Sequence, residues 1–217
     1  MEVLITGASS GIGKAIALKF LKEKHEVHGI DILPSSIVDK NYKHYICDVK
    51  DKNNLPKIDN VEILINNAGV QDNDENSIDV NLKGLINTTF LYGYQKNIKS
   101  IVNIASASAT TGSEFPYYAA SKGGVLSFTK NTAMEIAKYG ATCNSVSPGG
   151  VKTASNDHIL NDEKLYKDVL NETLLNKWAT VEEIADLVYY LAVINKSITG
   201  QDIIIDNGES IKRNFIW

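Results

Sequence analysis

The sequence predicts a doubly wound α/β domain on a parallel sheet of about seven strands, with helices on both faces. Short apolar runs alternate with longer amphipathic stretches along almost the whole chain, the pattern of parallel crossovers. The runs are continuously apolar, as strands covered on both faces are. Val3-Leu4-Ile5 opens the sheet, and Ile12, Ala15, Ile16 and Phe20 recur behind it at helical spacing. Further strand-like runs lie near residues 26–30, 43–47, 61–65, 100–104, 141–147 and 202–206. Tyr189 and Tyr190 follow Glu182-Glu183-Ile184 in an amphipathic stretch that reads as a core helix. Two connections are short. Only eleven residues separate Asp31 from Lys43, Pro34 among them, barely the roughly 10–12 that a crossover with a helix requires. A loop or a single helical turn is expected there, and the stretch from Asp51 to Asn60, interrupted by Pro56, is similarly abbreviated.

Composition narrows the function classes. A chain of 217 residues and 23.8 kDa suits one domain spanning 1–217, with no linker rich enough in Pro, Gly or Ser to divide it. The 26 acidic and 22 basic residues give a net charge of -4, a surface that does not attract phosphate backbones, so no nucleic-acid partner is expected. No run approaches the roughly 18 apolar residues of a membrane helix, and no membrane partner is expected. Residues 1–7 carry no basic leader, so the expected location is cytoplasmic. Cys47 and Cys143 form neither a disulfide framework nor a metal spacing; both read as buried small hydrophobes within strands. His25, His28, His44 and His158 are scattered and read as surface or packing residues, so no metal is expected.

Two constellations carry chemistry. Thr6-Gly7-Ala8-Ser9-Ser10-Gly11-Ile12-Gly13 sits where the first strand turns into the first helix, spaced Gly-x-x-x-Gly-x-Gly. Glycines there let backbone approach a pyrophosphate, and the helix amino terminus supplies N–H donors and a positive dipole end. Its plainer reading is a tight strand-to-helix corner. Asp31, 18 positions after Gly13 at the end of the second strand, adds a carboxylate placed to accept from adenosine ribose hydroxyls and to repel a 2′-phosphate. Together they favour a dinucleotide. The second constellation is Tyr118-Ala119-Ala120-Ser121-Lys122, whose ends share one helix face. A free tyrosine has a pKa of about 10, and a neighbouring ammonium favours its phenolate. Tyr117 has Ser121 at the same spacing and lacks the basic partner.

With further motifs in the same order, the chain resembles the short-chain dehydrogenases/reductases from Glu2 to Gly208. Those motifs are Asn66-Asn67-Ala68-Gly69 after the fourth strand, Asp79-Val80-Asn81-Leu82, Val102-Asn103-Ile104-Ala105-Ser106, residues 144–153 and Ile198-Thr199-Gly200-Gln201. The resemblance implies a Rossmann-type fold and hydride transfer between a nicotinamide cofactor and a small carbonyl or secondary alcohol. It casts Tyr118 as general acid–base, Lys122 as the group that lowers its pKa and holds the nicotinamide ribose, and Ser106 as donor to the substrate oxygen. It casts Asn81 as holder of a relay water. The loop from Ser106 to Tyr118 is slightly shorter than the family's, which leaves Ser108 as the competing serine.

On the cofactor side, the resemblance implies contacts from Gly7, Ser10, Gly11, Ile12, Gly13, Asp31 and Ile32. It adds Asn67, Ala68 and Gly69 after the fourth strand, and Pro148, Gly149, Val151 and Thr153 around the nicotinamide. Asp48 and Val49 resemble the adenine contact, with a turn or cap as the plainer reading of Asp48 and a helix cap as that of Thr153. NADPH users of the family tend to carry a basic residue at the places held here by Ser10 and Ile32, so NAD(H) is expected over NADP(H).

Substrate identity is expected in a lid at about 154–177, where Leu160, Leu165, Val169, Leu174 and Leu175 form an apolar stripe, and in the polar loop 70–77. Likeness to 3-oxoacyl-thioester reductases, usually NADPH-dependent, stands beside likeness to sugar and polyol dehydrogenases. The family implies a homodimer or homotetramer; Leu82, Leu85, Ile86 and Phe90 on one helix and Val125, Phe128 and Thr129 on another offer such a contact or the packing of helix on sheet, and the apolar end Phe215-Ile216-Trp217 reads as a subunit contact because it is costly to leave in water. The rival expectation is a dinucleotide-binding sensor or scaffold without turnover. The trimmed crossovers favour that reading, and the set Asn81, Ser106, Tyr118 and Lys122 speaks against it.

Overall fold

Strands apolar on both faces must be covered on both faces, and the computed structural model, which describes residues 1–212, shows how this chain does so. Its strands are β1 (Glu2–Thr6), β2 (Glu26–Asp31), β3 (Tyr42–Ile46), β4 (Ile63–Asn66), β5 (Ser100–Ile104), β6 (Thr142–Pro148) and β7 (Asp202–Ile205). All pairings are parallel, in the order β3-β2-β1-β4-β5-β6-β7. The order reverses between β1 and β4, so the connections leaving their carboxyl ends diverge and open a crevice.

The principal helices are α1 (Gly11–Lys22), α2 (residues 75–93), α3 (Pro116–Ile136), α4 (Glu163–Leu170) and α5 (residues 181–194). α1 and α5 cover the face that carries Val3, Ile5, Val27, Ile65, Val102 and Val146. α2 and α3 cover the other, with Leu4, Leu64, Tyr92, Ile101, Ala133 and Ile136. The split of Val3 and Ile5 from Leu4 is the period-two alternation of a strand. A reciprocal cap between Thr180 and Glu183 starts α5.

Neither short connection contains a helix. On the α1 side, Ile37 and Tyr42 pack against the core in its place. The Tyr42 ring lies so close over Gly29 that a Cβ there would sit 2.2 Å from Oη. His44 bonds the same hydroxyl through Nδ1 (3.0 Å) and the Leu33 carbonyl through Nε2 (2.8 Å). On the opposite side Leu55, Ile58 and Val61 tuck under the sheet, and Tyr92 Oη donates to the Pro56 carbonyl at 2.6 Å. Side chains thus fill both vacated layers.

Some expectations need correcting. Cys47 falls just beyond β3 and is half-buried, with Sγ 3.3 Å from the Asn54 carbonyl; Cys143 is buried within β6. Tyr189 packs on Phe20 with ring centroids 5.2 Å apart, whereas Tyr190 is 43% exposed. Adjacent helical residues point about 100° apart, so only one of the pair reaches the core. Phe215-Ile216-Trp217 lies outside the described residues. Among those described, no group of three or more His, Cys, Asp or Glu is arranged for a metal, and no helix is long and apolar enough to cross a membrane.

Gly29→Ala is expected to lower stability in urea unfolding by about 1–3 kcal/mol through overpacking. Adding Tyr42→Phe, which removes the offending Oη, should restore part of it.

Candidate active site

Buried polar side chains place the helices that carry the site. Asn66, at the end of β4, donates through Nδ2 to Thr89 Oγ1 and Asn103 Oδ1, both at 2.9 Å, and accepts from Thr88 Oγ1 at 2.6 Å. Asn103 on β5 donates in turn to Thr129 Oγ1 at 2.9 Å. All five residues are at most 3% exposed. The network clamps α2 and α3 to β4 and β5. α2 also widens to π-helical geometry over Asp79–Gly84, and that turn carries Asn81.

The crevice suits a dinucleotide. Gly7 and Gly11 take left-handed φ values of 68° and 49°. A Cβ on Gly13 would lie 2.0 Å from the Gly7 carbonyl oxygen, so only glycine lets α1 start this close to β1. Ser10 precedes α1 without capping it through its side chain, and no acidic residue occupies the first turn, which leaves the N–H groups open to an anion, while Ile12 packs against the core. Asn67 Nδ2 donates to the Thr6 and Gly7 carbonyls (3.0 Å each), and Thr6 Oγ1 accepts from Asn67 N and Ala68 N (3.0 Å each). That lattice fixes the loop ahead of Gly69. Each Asp31 oxygen accepts one backbone donor, Ser9 N at 2.9 Å and Leu33 N at 3.0 Å, and keeps lone pairs for hydroxyl donors. Ile32 is 63% exposed beside it. Val49 is buried where a Gly84 Cβ would meet it at 2.5 Å, and Asp48 Oδ1 accepts from Lys50 N as a turn aspartate does. Thr153 Cγ2 stands 3.6 Å from the place of a Gly11 Cβ, which brings the Pro148-Gly149-Gly150-Val151 loop across the crevice from α1. These residues fit an adenine dinucleotide.

Ser106, Tyr118 and Lys122 converge at its inner end. Lys122 is 5% exposed; its Nζ lies 5.7 Å from the Tyr118 ring centroid and donates to the Ile104 carbonyl at 3.0 Å. Of the two serines, Ser106 is the one that favours the Tyr118 phenolate, and its Oγ lies 3.0 Å from that of Ser108. Asn81 is expected to hold a water, and its side chain also ties protein segments together. Nδ2 donates to the Val70 carbonyl (2.9 Å) and Ser121 Oγ (3.0 Å), and Oδ1 accepts from Val70 N (2.8 Å).

The electrostatics depart from expectation in one respect. Burial pushes the Tyr118 hydroxyl above its ordinary value, against the help of Ser106 and reinforced by Glu114. In the protein alone, desolvation of the phenolate outweighs its favourable neighbours. Burial lowers Lys122 to about 8, with Glu114 opposing.

Two charged residues of the site carry no sequence signal. Glu114 has φ 71° and accepts from Gln71 Nε2 at 2.6 Å. Burial raises its pKa, Gln71, Ser108 and Lys122 favour its charged form, and Glu209 disfavours it. Glu209 Oε2 in turn lies 3.4 Å from Gly150 N. Some expected contacts fall elsewhere. Leu85, Val125 and Thr129 are buried in the fold and unavailable to a second copy, whereas Phe90 remains 59% exposed. In the 154–177 segment, Leu165, Leu174 and Leu175 stay exposed and α4 buries none of its residues.

Lys122→Met is expected to raise stability at pH 7 by about 1–3 kcal/mol, because it removes a buried charge. Below pH 8 the lysine is charged in folded and unfolded chains alike, and the cost is fully present. Between about 8 and 10.5 the unfolded chain holds the extra proton, so wild-type stability gains with rising pH and the gap to the variant narrows. Thermal unfolding at pH 7 and pH 10 reads both effects.

Comparisons agree with this fold. Residues 7–210 match the family model described as enoyl-(acyl carrier protein) reductase. The 3-oxoacyl-[acyl-carrier-protein] reductase of Thermotoga maritima is 32% identical, over 94% of this chain and 96% of its own length. A 4-hydroxyisoleucine dehydrogenase mutant complexed with NADH and succinate superimposes with a TM-score of 0.90 at 27% identity, covering 99% of this chain and 100% of that one. The ligand-free aldohexose dehydrogenase of Thermoplasma acidophilum gives 0.88 at 28% identity, with 100% and 96% covered. In sequence, in fold and in the placing of its motifs around one crevice, the chain belongs to the short-chain dehydrogenase/reductase family.

Proposed function

We propose that this oxidoreductase moves hydride between NAD(H) and a carbonyl or secondary alcohol of a small molecule, with Tyr118 as general acid–base. The observation that carries the reading is the convergence of Tyr118, Ser106 and buried Lys122 on one point of the crevice. The bound nicotinamide supplies or receives the hydride. In reduction, Ser106 donates to the substrate oxygen and stabilises the charge that develops there. Tyr118, kept protonated by its raised pKa, delivers a proton to the same oxygen. In oxidation, Tyr118 takes that proton, and the Lys122 ammonium stabilises the resulting phenolate. Asn81 ties the loop after β4 to α3 and so holds the floor under Lys122.

Asp31 supports NAD(H), since a carboxylate repels a 2′-phosphate and no basic residue stands at Ser10 or Ile32. The second reading, NADPH-dependent reduction of 3-oxoacyl thioesters, is supported by the Thermotoga relative's name. The surface around exposed Phe90, against which half-buried Phe128 packs, is assigned to a homodimer or homotetramer contact.

Tyr118→Phe is expected to lower kcat by about 10²–10⁴-fold with NADH affinity retained, read by NADH consumption over a carbonyl panel and by NADH fluorescence. Equal behaviour of wild type and variant in every assay would favour the sensor reading. Asp31→Ala should shift the NADPH-to-NADH affinity ratio upward by about tenfold or more, about 1.4 kcal/mol. An unchanged ratio would remove Asp31 from the ribose site.

A further inference from the structure

We propose that Glu114 and Gln71 form a substrate-recognition pair selecting a carbonyl compound with a hydroxyl group beside its reacting carbon. The inference rests on the oxidoreductase reading above and assigns its substrate class.

Position comes first. Glu114 lies on the loop between Ser106 and Tyr118, and Gln71 on the loop after β4; the 2.6 Å bond between these two exposed side chains joins the loops. The Ser106 and Ser108 hydroxyls are 3.0 Å apart, and Ser108 in turn favours the charged Glu114. Both loops reach the catalytic groups: a Cβ on Gly69, two residues before Gln71, would lie 3.4 Å from Lys122 Nζ, and Glu114 precedes Tyr118 by four residues. A substrate group bound by the carboxylate is assigned to the carbon beside the reacting one.

Chemistry comes second. A carboxylate accepts only, with about four lone-pair sites, and Gln71 accounts for one of them. The Gln71 amide adds a carbonyl acceptor. Complementary substrate groups are thus hydrogen-bond donors. Glu209, whose charge Glu114 feels from the Gly150 side, makes the surroundings acidic and leaves Lys122 as the cation acting on Glu114. Carboxylate substrates and acidic carriers are disfavoured in such surroundings, and neutral hydroxyl groups are not.

Backbone comes third. At φ 71° Glu114 pays a steric penalty that glycine would not, as at Gly112, which has the same φ and open space around it. A strained non-glycine residue beside catalytic groups is the pattern of a position kept for its side chain.

The test titrates L-erythrulose and butan-2-one, two four-carbon ketones differing in hydroxyl groups, into the NADH complex of Tyr118→Phe. At least about tenfold tighter binding of erythrulose is expected, falling to within about threefold when Glu114→Ala is added. Glu135→Gln, on the exposed side of α3, should leave the preference intact. Glu114→Gly relieves the backbone and separates recognition from folding: it is expected to keep or raise the Tm and still lose the preference. Equal or absent binding of erythrulose, a preference that survives Glu114→Ala, or a lower Tm in Glu114→Gly would each overturn the proposal. Hydride transfer is read separately on the unmodified chain with NADH. Preferred turnover of an acetoacetyl thioester would overturn the recognition pair and keep the oxidoreductase reading, whereas erythrulose binding without any hydride transfer would sink that reading.

Discussion

The hydrogen-bonded asparagines at the ends of β4 and β5 are the constraint on which the site depends. Asn66 and Asn103 are buried, and each unpaired polar group there would cost about 1–3 kcal/mol. Their bonds are met only when Thr88 and Thr89 of α2 and Thr129 of α3 stand in one place. An apolar layer alone would tolerate sliding of either helix. The polar network does not, because a small shift leaves buried donors without acceptors. Asn81 rides on α2 and Tyr118 and Lys122 on α3, so fixing the two helices against the sheet also sets the distances within the crevice. Lys122 closes the circuit by donating to Ile104, two residues ahead of Ser106.

Around that anchor the chain gives up stability at particular points. A lysine is held uncompensated by any carboxylate in direct contact, a tyrosine hydroxyl is desolvated, and Glu114 occupies a left-handed conformation. Each is unfavourable alone. They are tolerated because the sheet beneath them is covered by two large apolar clusters whose central residues have no solvent exposure. Rigid surroundings over-determine the strained groups, and the strain collects where chemistry needs altered proton affinities.

The first half of the sheet shows a second economy. Helices are absent between β2 and β3 and between β3 and β4, so the sheet edge is covered by single side chains. Tyr42 replaces a helix on one face because Gly29 leaves room for its ring, and His44 fixes the hydroxyl. Lys43 lies over the Tyr45 ring on the other face, at 5.0 Å from its centroid. A charged, aromatic-lined edge strand also resists pairing with another chain. The Asp31 turn survives the shortening because Ser9 and Leu33 hold its carboxylate from both sides.

The order of strands and helices, the glycine corner and the Tyr118–Lys122 spacing were readable from residues 1–217 because each is a local pattern, set by backbone periodicity within a few residues. Edges were less readable: β3 stops at Ile46, so Cys47 leaves the strand its apolar neighbours suggested. What only the folded chain decided is non-local. Gln71 and Glu114 meet across 43 residues, Ser106 rather than Ser108 favours the Tyr118 phenolate, and Leu85, Val125 and Thr129 point inward. The direction of the Tyr118 shift belongs to the same class. A nearby lysine could be read from spacing, but the desolvation that outweighs favourable neighbours depends on how much protein surrounds the ring, and that is a property of packing alone.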